Sequence, residues 1–550
     1  MRLIDRRIGL LFAGFLLCFL VIIGRAFWLQ GVQGAQLASE AVSQQTETIT
    51  VPGLRGSLLD RRGNQLASSE DAATIYATPY QVKNPPQAAA KLAPILGQKK
   101  GEVLAALTEE SGFSYIAHKV DLGTAAKVED LHLEGIGELP DSRRTYPQGE
   151  MAGQVIGAVG SENQGLMGLE QGEESILKGT DGERKIVKDA LGDPIRLETA
   201  KEASDGEDIQ LTLDPVVQQK TEEVLNEVGE TYAPKGATAI VVDPRNSQIL
   251  AMANWPPVDP ADLSGVSAED LMNQATGLNY EPGSTFKAFT VSAALEEELV
   301  TPSTEFVLPP SIQVADRTIK DAEERGTETM SVATILARSS NVGAVTIGLK
   351  LGSENFSKWI NRFGFGRRTG VQFPGEEKGI VPELDEYSGS TIGNLPMGQG
   401  LAVTPMQMVA GYTAIANNGT LRRPQLIKRI GEREIQEPKG RRVIKAQVAT
   451  QVREMLEGVL AAGGTASEIS VPGYTLAGKT GTAQVAENGG YSETKYIASF
   501  IGFAPAQHPQ LLAAVIVDEP QGEIYGGSVA APAWGQIASF ALPYLGVPRE

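Results

Sequence analysis

The chain has 550 residues, 41% of them apolar, with 48 Lys and Arg against 67 Asp and Glu for a net charge of −19. That is length for roughly three or four domains and enough apolar content for sizeable cores, with too little Gly and Pro for a chain disordered or collagenous throughout. The acidic balance argues against nucleic acid as the main partner, since phosphate binding needs a basic face; the single cysteine, Cys18, rules out intramolecular disulfides and multi-cysteine zinc sites, and three scattered histidines argue against a His-rich metal centre.

In chain order, the first feature is an uncharged apolar run over residues 8–24, which residues 26–29 extend past Arg25. We take 8–29 as one transmembrane anchor, near the short end for a spanning helix, with Trp28 at the interface. Arg2, Arg6 and Arg7 precede it, and after Arg25 the next basic residue is Arg55. The excess of positive charge on the inside predicts a cytoplasmic tail over 1–7 and an extracytoplasmic body in a single-pass protein of the cell membrane. A cleaved signal peptide is the rival, but the run exceeds a typical signal core and no small-x-small cleavage site follows directly.

Residues 30–205 read as a pedestal. Its first part, 31–50, is polar and helix-permissive, a stalk. From 51 the chain alternates short apolar runs with turns such as Pro52-Gly53 and Asp60–Asn64, a mixed α/β pattern. The charged break Lys201–Asp208 marks a domain boundary, and 206–550 forms the main domain.

There, Ile209–Leu213 reads as a strand. Asp214-Pro215 caps a helix through Val216–Val228. Ala237–Val242 and Gln248–Ala253 form a hairpin. Helical stretches fill 284–298, 330–351 and 404–418. Tyr496–Ala504 and Leu511–Val517 are strands, and Pro532–Leu542 is a closing helix. Strand pairs at both ends with helices between predict an α+β domain: one antiparallel sheet flanked by helices.

Three short elements carry chemistry: Ser284-Thr285-Phe286-Lys287, Ser339-Ser340-Asn341 and Lys479-Thr480-Gly481-Thr482. Each alone is weak, because S-x-x-K recurs at Ser175–Lys178 and Ser492–Lys495, and S-x-N recurs twice. Context selects Ser284: it follows Pro282-Gly283 and opens an apolar helical stretch, so Ser284 and Lys287 share a face at i, i+3. Ser175 runs into a glycine turn and Ser492 lies in a polar stretch, so both are expected at the surface.

A serine hydroxyl needs a base within hydrogen-bond reach. Lys287 serves if neutral, which at a free pKa of ~10.4 costs roughly 4–5 kcal/mol at pH 7, unless burial or a nearby cation such as Lys479 lowers it. Ser339 can relay a proton, and Asn341 can orient Lys287 and hold a substrate amide. Thr480 and Thr482, on either side of Gly481, can bind a carboxylate with Lys479. The N–H groups of Ser284 and Thr482 can form an oxyanion hole. The three elements in this order are the set described for penicillin-interacting enzymes.

With these motifs, the chain resembles class B penicillin-binding proteins over nearly its whole length. The resemblance includes Val241–Pro244, Glu281–Lys287 and Gly478–Ala483 in the main domain, and Arg55-Gly56-Ser57, Arg144–Pro147 and Gly165–Glu170 before it. Those earlier residues are expected to be structural. The resemblance implies a monofunctional D,D-transpeptidase acylated at Ser284 by a stem peptide ending in D-Ala-D-Ala, with no metal or organic cofactor, and mimicked by β-lactams. The Ser339-Ser340-Asn341 form is similar to division-type, FtsI-like and sporulation-type members rather than elongation enzymes. It also implies a SEDS-family, FtsW-like glycan polymerase and other division proteins as partners. No glycosyltransferase motif occurs in the pedestal, and the C-terminal wall-binding repeats of some relatives are not expected. The alternatives are an elongation transpeptidase, or a β-lactam sensor or scaffold that does not need Ser284 for catalysis.

Overall fold

The computed structural model describes residues 2–37, 46–188, 194–487 and 490–550. The chain forms two compact units: one from residues 1–54, 70–143 and 179–206, the other from 55–69, 144–178 and 207–550.

The first unit begins with helix α1 (Arg2–Phe27), continued as a wider turn over Trp28–Val32. Within Ile4–Val32 the most apolar 18-residue window has a mean hydropathy of 2.5 and none of it is buried, so the helix is long and apolar enough to cross a membrane once. The expected helix-permissive stalk needs correction at its far end. Thr46–Val51 is strand β1, an alternating Thr/Ile/Val segment that suits a strand; residues 38–45 of that stalk lie outside the described residues. The other strands are β2 (Gln65–Ala77, in this unit from residue 70), β3 (Ser114–Asp121), β4 (Ile136–Thr145, in this unit to residue 143), β5 (Gly182–Lys188) and β6 (Pro194–Lys201). β1, β5 and β6 make a small antiparallel sheet. Residues 72–77 of β2 pair with β3. A separate core forms where Ile75, Ile116 and Ala117 meet Leu92, Val103, Leu107 and Val128. Those come from α2 (Pro85–Leu96), α3 (Lys100–Leu107) and α4 (Leu122–Glu129).

In the second unit, two segments that precede the charged break pack with the residues that follow it. Leu58 pairs in parallel with Ile209 of β7 (Ile209–Leu211). Glu170, fully buried, receives the guanidinium groups of both Arg55 and Arg144, the latter at 2.7 Å, and Arg55 also reaches Glu174 at 2.6 Å. Pairing and ion network together hold 55–69 and 144–178 in this unit.

Its centre is a five-stranded antiparallel sheet in the order β9-β8-β12-β11-β10. The strands are β8 (Gly236–Asp243), β9 (Gln248–Trp255), β10 (Ala477–Glu487), β11 (Gly490–Ala504) and β12 (Leu511–Asp518). Helix α5 (Pro215–Tyr232) starts where Asp214 accepts N–H bonds from Val216 and Val217, and its Gln218 amide exchanges two hydrogen bonds with the backbone of Met252 on the edge strand β9. The next helices are α6 (Lys287–Glu296), α7 (Val332–Ala337), α8 (Asn341–Leu351), α9 (Pro405–Ala416), α10 (Ala446–Glu457) and α11 (Ala530–Tyr544). α11 docks through Trp534, whose indole N–H reaches the carbonyls of Gly502 and Ala513 while its ring meets Phe500 edge-on. α6 and α9 share an aromatic cluster of Phe286, Phe289, Phe365 and Tyr412. The α+β fold expected from the sequence is the one observed, an antiparallel sheet flanked by helices.

One predicted helix is not continuous. The stretch 330–351 divides into the end of a strand, α7 and α8, with the break at Arg338–Ser340. Ser339 occupies the break with φ at 59°, a left-handed conformation that costs an L-residue roughly 1–2 kcal/mol.

Candidate active site

Ser284 lies in a single 3₁₀ turn, Gly283–Phe286, that runs directly into α6. The turn is flush against the edge strand β10, and glycine permits this. A Cβ on Gly481 would stand 2.4 Å from Ser499 Oγ and 3.1 Å from the Pro282 carbonyl. From the other side, Tyr412 of α9 donates its hydroxyl proton to the Thr285 carbonyl at 2.7 Å. Ser284 is half-buried and opens on a cleft of about 1200 Å³, which Ser339, Asn341, Thr480 and Thr482 also line.

Lys287 is 1% exposed. Its Nζ donates to the Ser339 carbonyl at 2.6 Å, to Ser339 Oγ at 3.2 Å and to Asn341 Oδ1 at 2.7 Å. The first and second motifs therefore meet at one nitrogen. Burial pushes the Lys287 pKa down to about 7, against an opposing pull from the Asp321 carboxylate.

Lys479 is also fully buried. Its Nζ donates to the Thr480 carbonyl at 3.2 Å and to Thr480 Oγ1 at 3.3 Å. Burial first, and the Lys287 cation second, hold its pKa well below the usual lysine range. Two ammonium groups in one dry region repel, so a charged Lys287 disfavours the Lys479 ammonium. Thr480 Oγ1 shares a proton with Thr465 Oγ1 at 2.6 Å, and Thr482 Oγ1 accepts the Gly526 N–H at 3.1 Å. All three motifs thus surround the same cleft.

The two discarded S-x-x-K copies differ. Ser175 is exposed, as expected. Ser492 is not at the surface: it is 5% exposed, and its hydroxyl accepts the N–H groups of Thr494 and Lys495, a local turn that uses the oxygen up. Asp321 and Thr465 also line the cleft; they belong to no motif, carry no signal in the sequence and reach the cleft only through the fold.

The arrangement can perform acyl transfer, with a serine in a cleft, a buried amine with a pKa near neutrality one turn away, and hydroxyl and amine donors on the adjacent strand. Residues 237–539 match the penicillin-binding protein transpeptidase domain, and residues 50–211 match the penicillin-binding protein dimerisation domain. The chain is 36% identical to stage V sporulation protein D of Bacillus subtilis, covering 97% of this chain and 85% of that protein. It is 30% identical to the peptidoglycan D,D-transpeptidase FtsI of Escherichia coli, covering 100% and 93%. Among solved structures, a peptidoglycan synthetase from Bifidobacterium adolescentis superposes with a TM-score of 0.74 at 30% identity, covering 92% of this chain and 98% of that one. Penicillin binding protein 3 of Mycobacterium tuberculosis, complexed with aztreonam, does so with a TM-score of 0.72 at 30% identity, covering 91% and 98%. The chain belongs to the class B penicillin-binding proteins, peptidoglycan D,D-transpeptidases that act by serine acyl transfer.

Proposed function

We propose that this transpeptidase cross-links stem peptides during septal wall synthesis, with Ser284 as nucleophile and Lys287 as its base. The observation that carries the residue roles is the Lys287 amine, buried, with a pKa near 7 and oriented by Ser339 and Asn341. Ser284 Oγ attacks the carbonyl of the penultimate D-Ala while its proton passes to Lys287. The backbone N–H groups of Ser284 and Thr482 hold the oxyanion, each such donor being worth about 3–4 kcal/mol. As the D-Ala-D-Ala amide bond breaks, the proton moves through Ser339 Oγ to the departing amine. An acceptor amine then attacks the ester and loses a proton to Lys287, which passes it to Ser284 Oγ as the ester C–O bond breaks, so that both the serine hydroxyl and the neutral amine are regenerated. Lys479, Thr480 and Thr482, on either side of Gly481, receive the terminal carboxylate, and Asn341 holds the substrate amide. β-Lactams enter as mimics of the first substrate. Intact-mass measurement with penicillin tests this. A stable adduct should map to the peptide holding Ser284 and vanish in Ser284→Ala, and an adduct elsewhere would refute the assignment.

The septal role rests on the Ser339-Ser340-Asn341 form and on the likeness to proteins named for sporulation and FtsI. We assign residues 1–7 to the cytoplasm, 8–29 to the anchor, 30–205 to a pedestal and 206–550 to the catalytic domain, outside the membrane. Because a monofunctional transpeptidase needs glycan strands made elsewhere, the anchor and pedestal recruit a SEDS-family, FtsW-like polymerase. Replacing residues 1–205 with an unrelated anchor and spacer should abolish co-purification with that polymerase. Unchanged co-purification and activation would show that the anchor and pedestal are only a tether.

A further inference from the structure

The Ser339-Ser340-Asn341 turn is held from outside the motif by one carboxylate. Asp321 follows a hairpin over Ser311–Lys320 that the three motifs do not include. Its Oδ1 accepts the Val342 N–H at 2.9 Å, and both its oxygens face the Ser340 hydroxyl, at 3.0 and 2.9 Å. Its Oδ2 also accepts Arg325 Nε at 2.5 Å, and Arg325 is fixed in turn by the carbonyls of Leu308 and Gly326. The Asp321 and Arg325 side chains are only 9% and 10% exposed. One residue earlier, the Lys320 carbonyl accepts Asn341 Nδ2 at 3.0 Å, which leaves Asn341 Oδ1 facing Lys287.

A left-handed non-glycine residue such as Ser339 persists only where its surroundings over-determine it. Here those surroundings are identifiable. Ser340 Oγ caps α8 by accepting the Gly343 N–H, and its own proton goes to Asp321. The carboxylate also sits at the N-terminal end of α8, where a negative charge is favoured. With Ser340 and Val342 pinned, the Ser339 carbonyl is aimed at Lys287. We propose that Asp321 is a positioning residue for acylation, which sets the geometry of the Ser339–Asn341 turn and through it the orientation of Lys287. This rests on the assignment of Lys287 as the base.

The charged groups that bear on Lys287 are Asp321, which favours its ammonium, and Lys479, whose own ammonium it disfavours, with Arg325 paired to Asp321. In Asp321→Asn the amide keeps the shape and its remaining oxygen can still accept the Val342 N–H and the Ser340 proton, but its NH₂ cannot accept Arg325 Nε and the negative charge is gone. Misplacement of the order of 1 Å at a reacting group costs about 10²-fold in rate. The test is the rate of acylation by a fluorescent penicillin, per folded molecule of the full-length protein in detergent, from pH 5.5 to 9. Asp321→Asn should acylate about 10²-fold more slowly, with the midpoint of its pH–rate profile moved to lower pH, because a charge favouring the Lys287 ammonium is gone. Ser340→Ala, which cuts the contact but keeps the charge, should slow acylation with the midpoint unmoved. Asp321→Asn acylating at the parental rate would overturn the proposal, as would a lowered melting temperature with both rate and midpoint unchanged. Lys287→Ala, measured alongside, separates the two levels. Normal acylation there refutes the base itself, whereas loss there with a normal Asp321→Asn refutes only the positioning role.

Discussion

The Lys287 amine lies 2.6 Å from the carbonyl oxygen of Ser339, a residue whose φ of 59° turns that carbonyl inward at the break between α7 and α8. A continuous helix would have spent the same carbonyl on its own hydrogen-bond ladder. The break therefore supplies an acceptor for the amine, and burial supplies the pKa.

The first consequence is a pH profile. With the Lys287 pKa held at about 7 by burial, the neutral, basic amine is the minority form below that value. Acylation should fall about tenfold per unit of pH well below 7 and level off above it. Stability responds in the same direction. A lysine whose folded pKa is depressed releases a proton on folding, so its contribution to stability rises as pH increases from about 7 toward the free value of ~10.4. Stopped-flow acylation and denaturant melts across this range check both; a rate independent of pH between 5.5 and 8 would exclude Lys287 as the base.

Ser339 gives a paired prediction. Ser339→Ala and Ser339→Gly both remove the relay hydroxyl, so both should slow acyl transfer to the acceptor amine. Only glycine relieves the left-handed strain, so Ser339→Gly should be about 1 kcal/mol more stable than Ser339→Ala. Equal melting midpoints for the two variants would mean that the break is not strained.

The elements themselves were legible in the sequence wherever a local rule governs them. The Asp214-Pro215 cap, the 236–255 hairpin and the closing helix at Trp534 follow from capping, alternation and apolar content. What escaped was set by distant partners. The break at Ser339 lies in a stretch of helix-compatible residues and is imposed by Asp321 and by Lys287, from elsewhere in the chain. Ser492 looked solvent-exposed because its neighbours are polar, yet a turn within β11 buries it. The motif residues were found by type and order, which says what chemistry is available but not which oxygen faces which nitrogen.

Gly481 tests how closely the nucleophile turn and β10 must approach. In Gly481→Ala the new Cβ meets Ser499 Oγ and the Pro282 carbonyl. Overpacking of this kind costs about 1–3 kcal/mol, and displacing the Ser284 turn should lower acylation about 10²-fold. Acylation within twofold of the parent protein would show that the turn has slack the geometry does not suggest.

The Glu170 network should separate stability from chemistry. Both arginines lose their buried counter-charge in Glu170→Ala, and breaking a buried ion pair by removing one partner costs about 3–5 kcal/mol. Acylation per folded molecule should be unaffected, since none of these residues lines the cleft. A chemical-denaturation midpoint equal to that of the parent would contradict the structural role.

Carboxylate binding should be coupled to proton uptake. Lys479 is buried, its pKa is held down by that burial and by Lys287, and among the described residues its Nζ pairs with no carboxylate. An anion arriving at Thr480 and Thr482 changes the balance, because a negative charge beside the amine favours the ammonium. Between the free and bound pKa values, binding must therefore draw a proton from solvent. In Ser284→Ala, which can bind but cannot be acylated, a peptide ending in D-Ala-D-Ala should bind more weakly as pH rises through that window. Titration calorimetry in two buffers of different ionisation enthalpy should show a proton uptake between zero and one per peptide, and adding Lys479→Met should reduce it to zero. Uptake that survives in the Lys479→Met protein would assign the proton to another group, Lys287 first, and no uptake at any pH would mean that the bound carboxylate leaves the Lys479 pKa where it was, which would refute the coupling.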